Sequence, residues 1–383
     1  MTSARQGQLL TPRFVLVVTC GLCYFLALAM LTPVIPHYVK DQLGFGDAAV
    51  GVAVGAFAVG AVVLRTYAGR VGDTVGRRAL IIWGAATVAA STLVYGLVHA
   101  LWWLIAMRVV TGFGEAAFFV GAATMITDLA PPNRRGEAVS YWSVAVYGGL
   151  SFGPALGDVL RGHDRYMLTW AVSASLALTA AAIGMFTRDV PREHDAEANG
   201  RLWHPAALRP GLVLFLGLMP LSAFTPLLPL YVDHDVHASA GAIFLLYGIL
   251  ILAVRIVGAR LPDRMGARNA GGFALAFSGT GIAVIAAWPT ITGLVVGTIV
   301  FASGMSLLYP SLLLLALGGI RDSERASVVG TFSSFFDLSS GFGAAIAGVI
   351  AEFAGYRGAF AVAGGTCLAG LLLLRNSVAA RDA

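Results

Sequence analysis

Gly69-Arg70-Val71-Gly72-Asp73-Thr74-Val75-Gly76-Arg77-Arg78 is a charged, glycine-rich stretch between two long apolar runs. It occurs twice. Arg65, Gly69, Asp73, Gly76 and Arg78 return 190 residues later as Arg255, Ala259, Asp263, Gly266 and Arg268. A second echo supports the first: Thr32-Pro33-Val34-Ile35-Pro36-His37-Tyr38-Val39 returns as Thr225-Pro226-Leu227-Leu228-Pro229-Leu230-Tyr231-Val232. Two similar apolar halves are the usual build of a secondary transporter, with the substrate site between them.

Composition fixes the solvent. Of 383 residues, 58% are hydrophobic and 12% charged, and the mean hydropathy is +0.80. A soluble chain of this size cannot bury so much apolar surface, so lipid must cover it. Twelve runs are long enough to cross a bilayer, near 14–36, 48–68, 79–98, 101–127, 138–160, 166–187, 211–232, 240–260, 270–288, 291–317, 327–350 and 358–375. The fold class expected is an all-α polytopic membrane protein. Two pseudo-symmetric six-helix bundles, 1–187 and 211–383, are joined by a polar linker, 188–210.

The basic residues set the orientation. Twelve spans put both termini on one side, and 20 of the 25 basic residues fall there, against Lys40, Arg161, Arg165 and Arg357 on the other. The Arg-rich side is expected to be cytoplasmic, in a plasma (inner) membrane. The net charge of +5 lies in short loops, so no nucleic-acid partner is expected. Cys20, Cys23 and Cys367 lie in apolar runs and read as packing residues, despite the C-x-x-C spacing of the first two. The histidines show no metal spacing and there is no nucleotide-binding glycine loop. No metal or cofactor is expected, and no enzyme chemistry. Trp102 and Trp103, at the outer entry of span 4, read as interfacial anchors.

Glycines let the charged stretch reverse the chain tightly, and Asp73 precedes span 3, where a carboxylate suits a helix N-terminus. Arg77 and Arg78 can bridge to acids at neighbouring helix ends, Asp128 among them. Read plainly, this is a turn with topology-setting arginines. The stretch also resembles the signature between spans 2 and 3 of the major facilitator superfamily, G-x-L-x-D-R-x-G-R-R, whose second copy is characteristically degenerate. Thr74 departs from it, where a basic residue is usual. The resemblance implies a latch between the halves, with Gly69, Asp73, Gly76, Arg77, Asp128 and Asp263 as gating residues.

Three further features carry chemistry. In Arg108-Val109-Val110-Thr111-Gly112-Phe113-Gly114-Glu115, Arg108 and Glu115 stand two helical turns apart on one face. Glu115 falls near mid-span, where a charge costs about 2.5–3.5 kcal/mol on insertion scales and therefore faces a partner or a cavity. Burial penalises a charged carboxylate and a nearby guanidinium favours it. Such opposed pulls suit a group that loads and releases a proton; a stabilising ion pair is the plainer alternative. The arrangement resembles the family's span 4 motif, which implies proton coupling. Asp337, near the middle of span 11, is either a second proton or substrate-cation site or a carboxyl satisfied by Ser333, Ser334 and Ser340.

Gly149-Leu150-Ser151-Phe152-Gly153-Pro154-Ala155-Leu156-Gly157 in span 5 permits close helix contact. It is similar to the signature of the family's antiporters, with Asp158 where a final glycine is usual. That resemblance implies gating roles for Gly149, Gly153, Pro154 and Gly157. Pro33-Val34-Ile35-Pro36 resembles the P-V-x-P of the twelve-helix drug:proton antiporter branch, although span 1 lacks that branch's acid. The coupling load then falls on Arg108, Glu115 and Asp337.

The expected function is proton-driven export, by a monomer, of a small amphipathic molecule. Tyr24, Phe119, Phe224, Tyr309 and Phe335 are offered as substrate contacts, although aromatics also pack in any helical bundle. The alternatives are proton-coupled uptake of a sugar, organic acid or amino acid and, remotely, a polytopic membrane enzyme or sensor.

Overall fold

The structure is a computed structural model, and it describes residues 9–97, 100–131, 134–162, 164–189, 204–257, 264–321 and 324–376. Every regular element among them is helical. The long helices are α1 (Pro12–His37), α2 (Asp47–Val75), α3 (Arg77–Tyr95), α4 (Leu101–Leu129), α5 (Arg135–Arg161), α6 (Tyr166–Met185), α7 (Pro205–Tyr231), α8 (Ala240–Val257), α9 (Ala267–Ala287), α10 (Ile291–Leu317) and α11 (Arg325–Asn376). α11 breaks at Gly355, whose φ of 69° is closed to most side chains, so its two arms occupy the places of the last two expected spans. Among the described residues nine helices are long and apolar enough to cross a membrane. Their outward faces carry large apolar groups such as Trp83, Phe186 and Phe353, a surface that only lipid covers without penalty.

Local chemistry starts and stops these helices. Thr11 caps α1, its hydroxyl accepting from Phe14 N–H at 3.3 Å, with Pro12 in the first turn where no N–H is needed. α7 repeats the device with His204 as cap and Pro205 behind it. Both helices carry a proline pair near their far end, Pro33 and Pro36 in α1, Pro226 and Pro229 in α7. Both then widen into a π-type turn, Tyr38–Gln42 and Val232–Val236. The charged stretch is not wholly a turn, as its glycines suggested: α2 stays helical through it to Val75, and only Gly76 breaks the chain. Gly76 has φ 95° and its repeat Gly266 has φ 78°, which explains why this glycine recurs.

The chain divides into two compact units: Met1–Tyr38 with Ala56–His194, and Val39–Gly55 with Asp195–Ala383. The division at 194/195 lies in the polar connection, of which 190–203 is outside the described residues. In the first unit α1 packs on α5 and α6, and α3 on α4 and α6. Its core is built round Phe14, Tyr24, Phe25, Phe118, Met125 and Trp142. The second unit repeats the plan, with α7 on α11 and α9 on α10 and α11. The repeat extends to single bonds. Arg78 Nη2 donates to Met185 O at 2.7 Å, and Arg268 Nη2 donates to Arg375 O at 2.7 Å.

Within the second unit, residues 39–55 lie along the first arm of α11. A Cβ on Gly51 would strike Ala344 O, one on Gly55 would strike Gly341 O, and one on Gly348 would strike Asp47 O. Backbones therefore touch along this seam. It ends in a polar knot: Lys40 Nζ donates to Asp47 Oδ1 at 2.8 Å and to Tyr356 OH at 2.7 Å. Tyr356 OH donates to Asp47 Oδ1 at 3.2 Å, and Ala48 N–H to Glu352 Oε2 at 3.2 Å.

Candidate functional site

The first unit holds a largely buried ion pair between α2 and α4. Glu115 on α4 is 6% exposed, and Arg65 Nη2 on α2 lies 3.0 and 2.8 Å from its two carboxylate oxygens. The Arg65 guanidinium also sits over the Phe119 ring, 5.1 Å from its centroid. Glu115 and Phe119 are four residues apart on α4, so one helix face presents both a carboxylate and an aromatic surface. Two ions buried separately would each cost several kcal/mol, and pairing offsets much of that.

Glycines let α2 come this close. A Cβ on Gly60 would collide with Val109 O, and one on Gly112 with Phe57 O, so the α2 and α4 backbones are in contact there. Gly114 and Gly121 serve the other side of α4, against Gly84 O and Val88, and against Leu80 and Arg77 O, on α3. Ser91 and Tyr95 on α3 meet Thr111 on α4 through hydroxyl contacts.

Sequence spacing had pointed to Arg108 as the guanidinium near Glu115. The bonds on Glu115 come from Arg65, while Arg108, 7% exposed, stands over the Phe57 ring at 4.9 Å. Arg65 was counted with the loop arginines. Its position inside the expected span 48–68 was the available signal, because a charge within a span seeks an acid.

Around the pair lies an aromatic cluster. Tyr24 stacks on Phe118 with centroids 3.6 Å apart. Phe25 meets Phe118, Phe119 and Trp142 edge-on. The Tyr24 hydroxyl is fully buried with no hydrogen-bond partner among the described residues. Of the proposed substrate contacts, Tyr24 and Phe119 therefore belong to one cluster.

The other three lie in the second unit. Phe224 is fully buried among Phe244, Tyr247 and Phe301. Tyr309 OH lies 3.0 Å from Ser333 Oγ. Phe335 presses on α7, where a Cβ on Gly211 would meet its ring. Asp337 is 7% exposed. Ser334 and Ser340 donate to Gly330 O and Phe336 O of their own helix, so their single protons are not spent on Asp337.

Arg77 and Asp128, paired on sequence grounds, come together: Arg77 Nε lies 3.4 Å from Asp128 Oδ2, both largely buried. Asp189 also serves this end, its Oδ1 accepting from Arg78 N–H at 2.9 Å. The side chains at 69 and 73, and Asp263 altogether, lie outside the described residues. Gly149, Gly153 and Gly157 face α1, where a Cβ would strike Phe25, Ala29 and Met30 O respectively, and Pro154 lies between them. The counterpart glycine, Gly343, packs in the same way on Ser222 of α7.

This helical plan and these motifs have relatives. The sequence model described as "Major Facilitator Superfamily" matches residues 17–317 and 211–382. An uncharacterized MFS-type transporter of Salmonella typhimurium is 32% identical over 370 residues, covering 92% of this chain and 94% of that protein. One from Burkholderia mallei is 26% identical over 383 residues, covering 97% and 93%. Among solved structures, the human organic anion transporter MFSD10 superposes with a TM-score of 0.71 at 20% identity, covering 98% of this chain and 100% of that one. The nucleoside transporter NupG gives 0.75 at 16% identity, covering 96% and 99%. At these identities the structures share the fold alone.

Proposed function

The chain belongs to the major facilitator superfamily, and from that premise we propose that this secondary transporter exports a small amphipathic molecule in exchange for protons. The observation that carries the reading is the buried Arg65–Glu115 pair set in an aromatic cluster. Protonating Glu115 cancels the charge that holds Arg65, so the pair opens when a proton arrives and closes when it leaves.

Linkage decides the direction of coupling. A ligand seated on the carboxylate competes with the proton, which gives exchange; a ligand seated on the guanidinium is helped by the proton, which gives co-transport. The Phe119 ring supports exchange, because an aromatic face attracts positive charge and repels negative charge. A second reading, proton-driven uptake of an organic acid, rests on the guanidinium that protonation would release.

Other residues take supporting parts. Asp337 is a second proton site in the C-terminal half, and Arg108 adds positive potential along α4. Arg77, Asp128, Asp73, Gly69, Gly76 and Asp263 form the latch. The glycines and Pro154 of α5 let that helix slide on α1. The Arg-rich loops and both termini face the cytoplasm, across the inner membrane, and the working unit is a monomer.

Proteoliposomes with an imposed proton gradient test this. Substrate should move against the proton flow in the wild type, and Glu115→Gln should lose gradient-driven flux. Wild-type flux in Glu115→Gln, or substrate moving with the protons, would sink the exchange reading.

A further inference from the structure

Glu115 and Phe119 together suit a guanidinium: both carboxylate oxygens lie within reach of one of its terminal nitrogens, and an aromatic ring lies beneath its central carbon. Arg65 fills that place in this structure. Its side chain is 25% exposed and Glu115 only 8%, so the anion is the fixed wall and the arginine, on a long flexible stem, is the part that can leave. We propose that Arg65 is the resident occupant of an organic-cation site made by Glu115 and Phe119. The transported molecule then carries a flat, delocalised cation, a guanidinium or amidinium on an apolar body, that replaces it. The proposal rests on the exchange reading above and adds the chemical class of the substrate.

The surroundings fit this class. Tyr24 from α1 stacks on Phe118, the neighbour of Phe119 on α4, and its buried hydroxyl has a donor to offer. Arg108 lies seven residues back on α4, already over a ring of its own. With that second guanidinium on the same helix, one positive charge on the ligand suffices to balance Glu115 and a second would be repelled. Phe25, Phe118 and Trp142 pack together in the core beside the pair, so the surroundings of the site are aromatic.

The repeat shows that the site is one-sided. Arg65 recurs as Arg255 and Phe119 as Tyr309, but Glu115 becomes Met305. The second half keeps a cation and a ring at these places and lacks the carboxylate that would receive a cationic ligand.

Benzamidine is the probe and benzoate its anionic counterpart, titrated calorimetrically against the purified full-length protein in mildly alkaline buffer. Removing an internal competitor that fills the site most of the time should raise apparent affinity about tenfold or more. Arg65→Gln, and Arg65→Lys, which keeps the charge but loses the guanidinium that lies over Phe119, should therefore both bind benzamidine more tightly than the wild type. Glu115→Gln should not bind it, and benzoate should gain nothing from either Arg65 change. A thermal melt of each variant confirms folding, and Arg65→Lys keeps the test open if Arg65→Gln does not fold.

Benzamidine affinity unchanged or lowered in Arg65→Lys, or wild-type protein preferring benzoate, would overturn the proposal. The two readings fail separately. Loss of proton-driven flux in Glu115→Gln without tighter benzamidine binding leaves exchange standing and removes the resident-occupant role. Tighter benzamidine binding in Arg65→Lys with flux intact in Glu115→Gln leaves a cation site at Glu115 and removes its part in proton-driven transport.

Discussion

Arg65 and Glu115 are each expensive where they lie and tolerable together. Breaking a buried pair from one side strands a charge, at a cost of about 3–5 kcal/mol, whereas removing both ions can be close to neutral. Arg65→Met and Glu115→Met should therefore each lower unfolding stability in detergent strongly, and the double variant should recover most of the loss. A double-mutant cycle read by denaturant titration measures the coupling; additive losses would mean that the pair is not a unit. Glu115 was legible in the sequence because an acid amid apolar residues announces itself. Arg65 was harder to assign, because it closes an apolar run just before a stretch full of arginines. Sequence spacing also favours a partner on the same helix, as with Arg108, whereas contacts between helices have no fixed separation along the chain. The bonds of Ser334 and Ser340 to their own backbone were likewise hidden, since a serine near an acid reads the same whichever carbonyl it chooses.

Helices in this chain are set apart by glycine more than by large side chains. The α2–α4 crossing that delivers Arg65 to Glu115 exists because Gly60 and Gly112 let two backbones touch. Gly60→Ala should force that crossing open, with a loss of about 1–3 kcal/mol, the usual cost of overpacking. It should also impair proton-driven flux, although residue 60 carries no charge. Gly365→Ala is the control: nothing lies within 4 Å of its Cβ, so stability should hold or rise slightly through helix propensity. Equal losses in both variants, measured by thermal unfolding, would refute a special role for the crossing. The spans themselves were plain from apolar length, and the repeated Gly76 and Gly266 foretold a chain break before α3 and α9. The break in α11 was legible only as a gap between two apolar runs. The continuation of α2 to Val75 was not legible, because glycine and charge look alike in a turn and in the last turns of a helix end.

The repeat organises the whole molecule, and one segment crosses it. Residues 39–55 belong by sequence to the first half, yet they pack with the second unit, while their chain neighbours on both sides pack with the first. No periodicity could have shown this, because the glycines of 46–55 present a small-residue face that suits any close neighbour. What holds the segment is a glycine seam capped by the Lys40–Asp47–Tyr356 knot. Opening this segment requires release of the seam, so the knot should limit how readily it opens. Tyr356→Phe removes one acceptor for Lys40 and one donor to Asp47, and hydrogen bonds to charged groups contribute about 1.5–3 kcal/mol each. Amide exchange across 39–55 should then quicken about tenfold or more through easier local opening, while α4 around Glu115 keeps wild-type protection. Hydrogen-exchange mass spectrometry resolves the two regions. A uniform rise would mean that Tyr356 supports the whole fold, and no rise in 39–55 would mean that the glycine seam holds the segment without the knot.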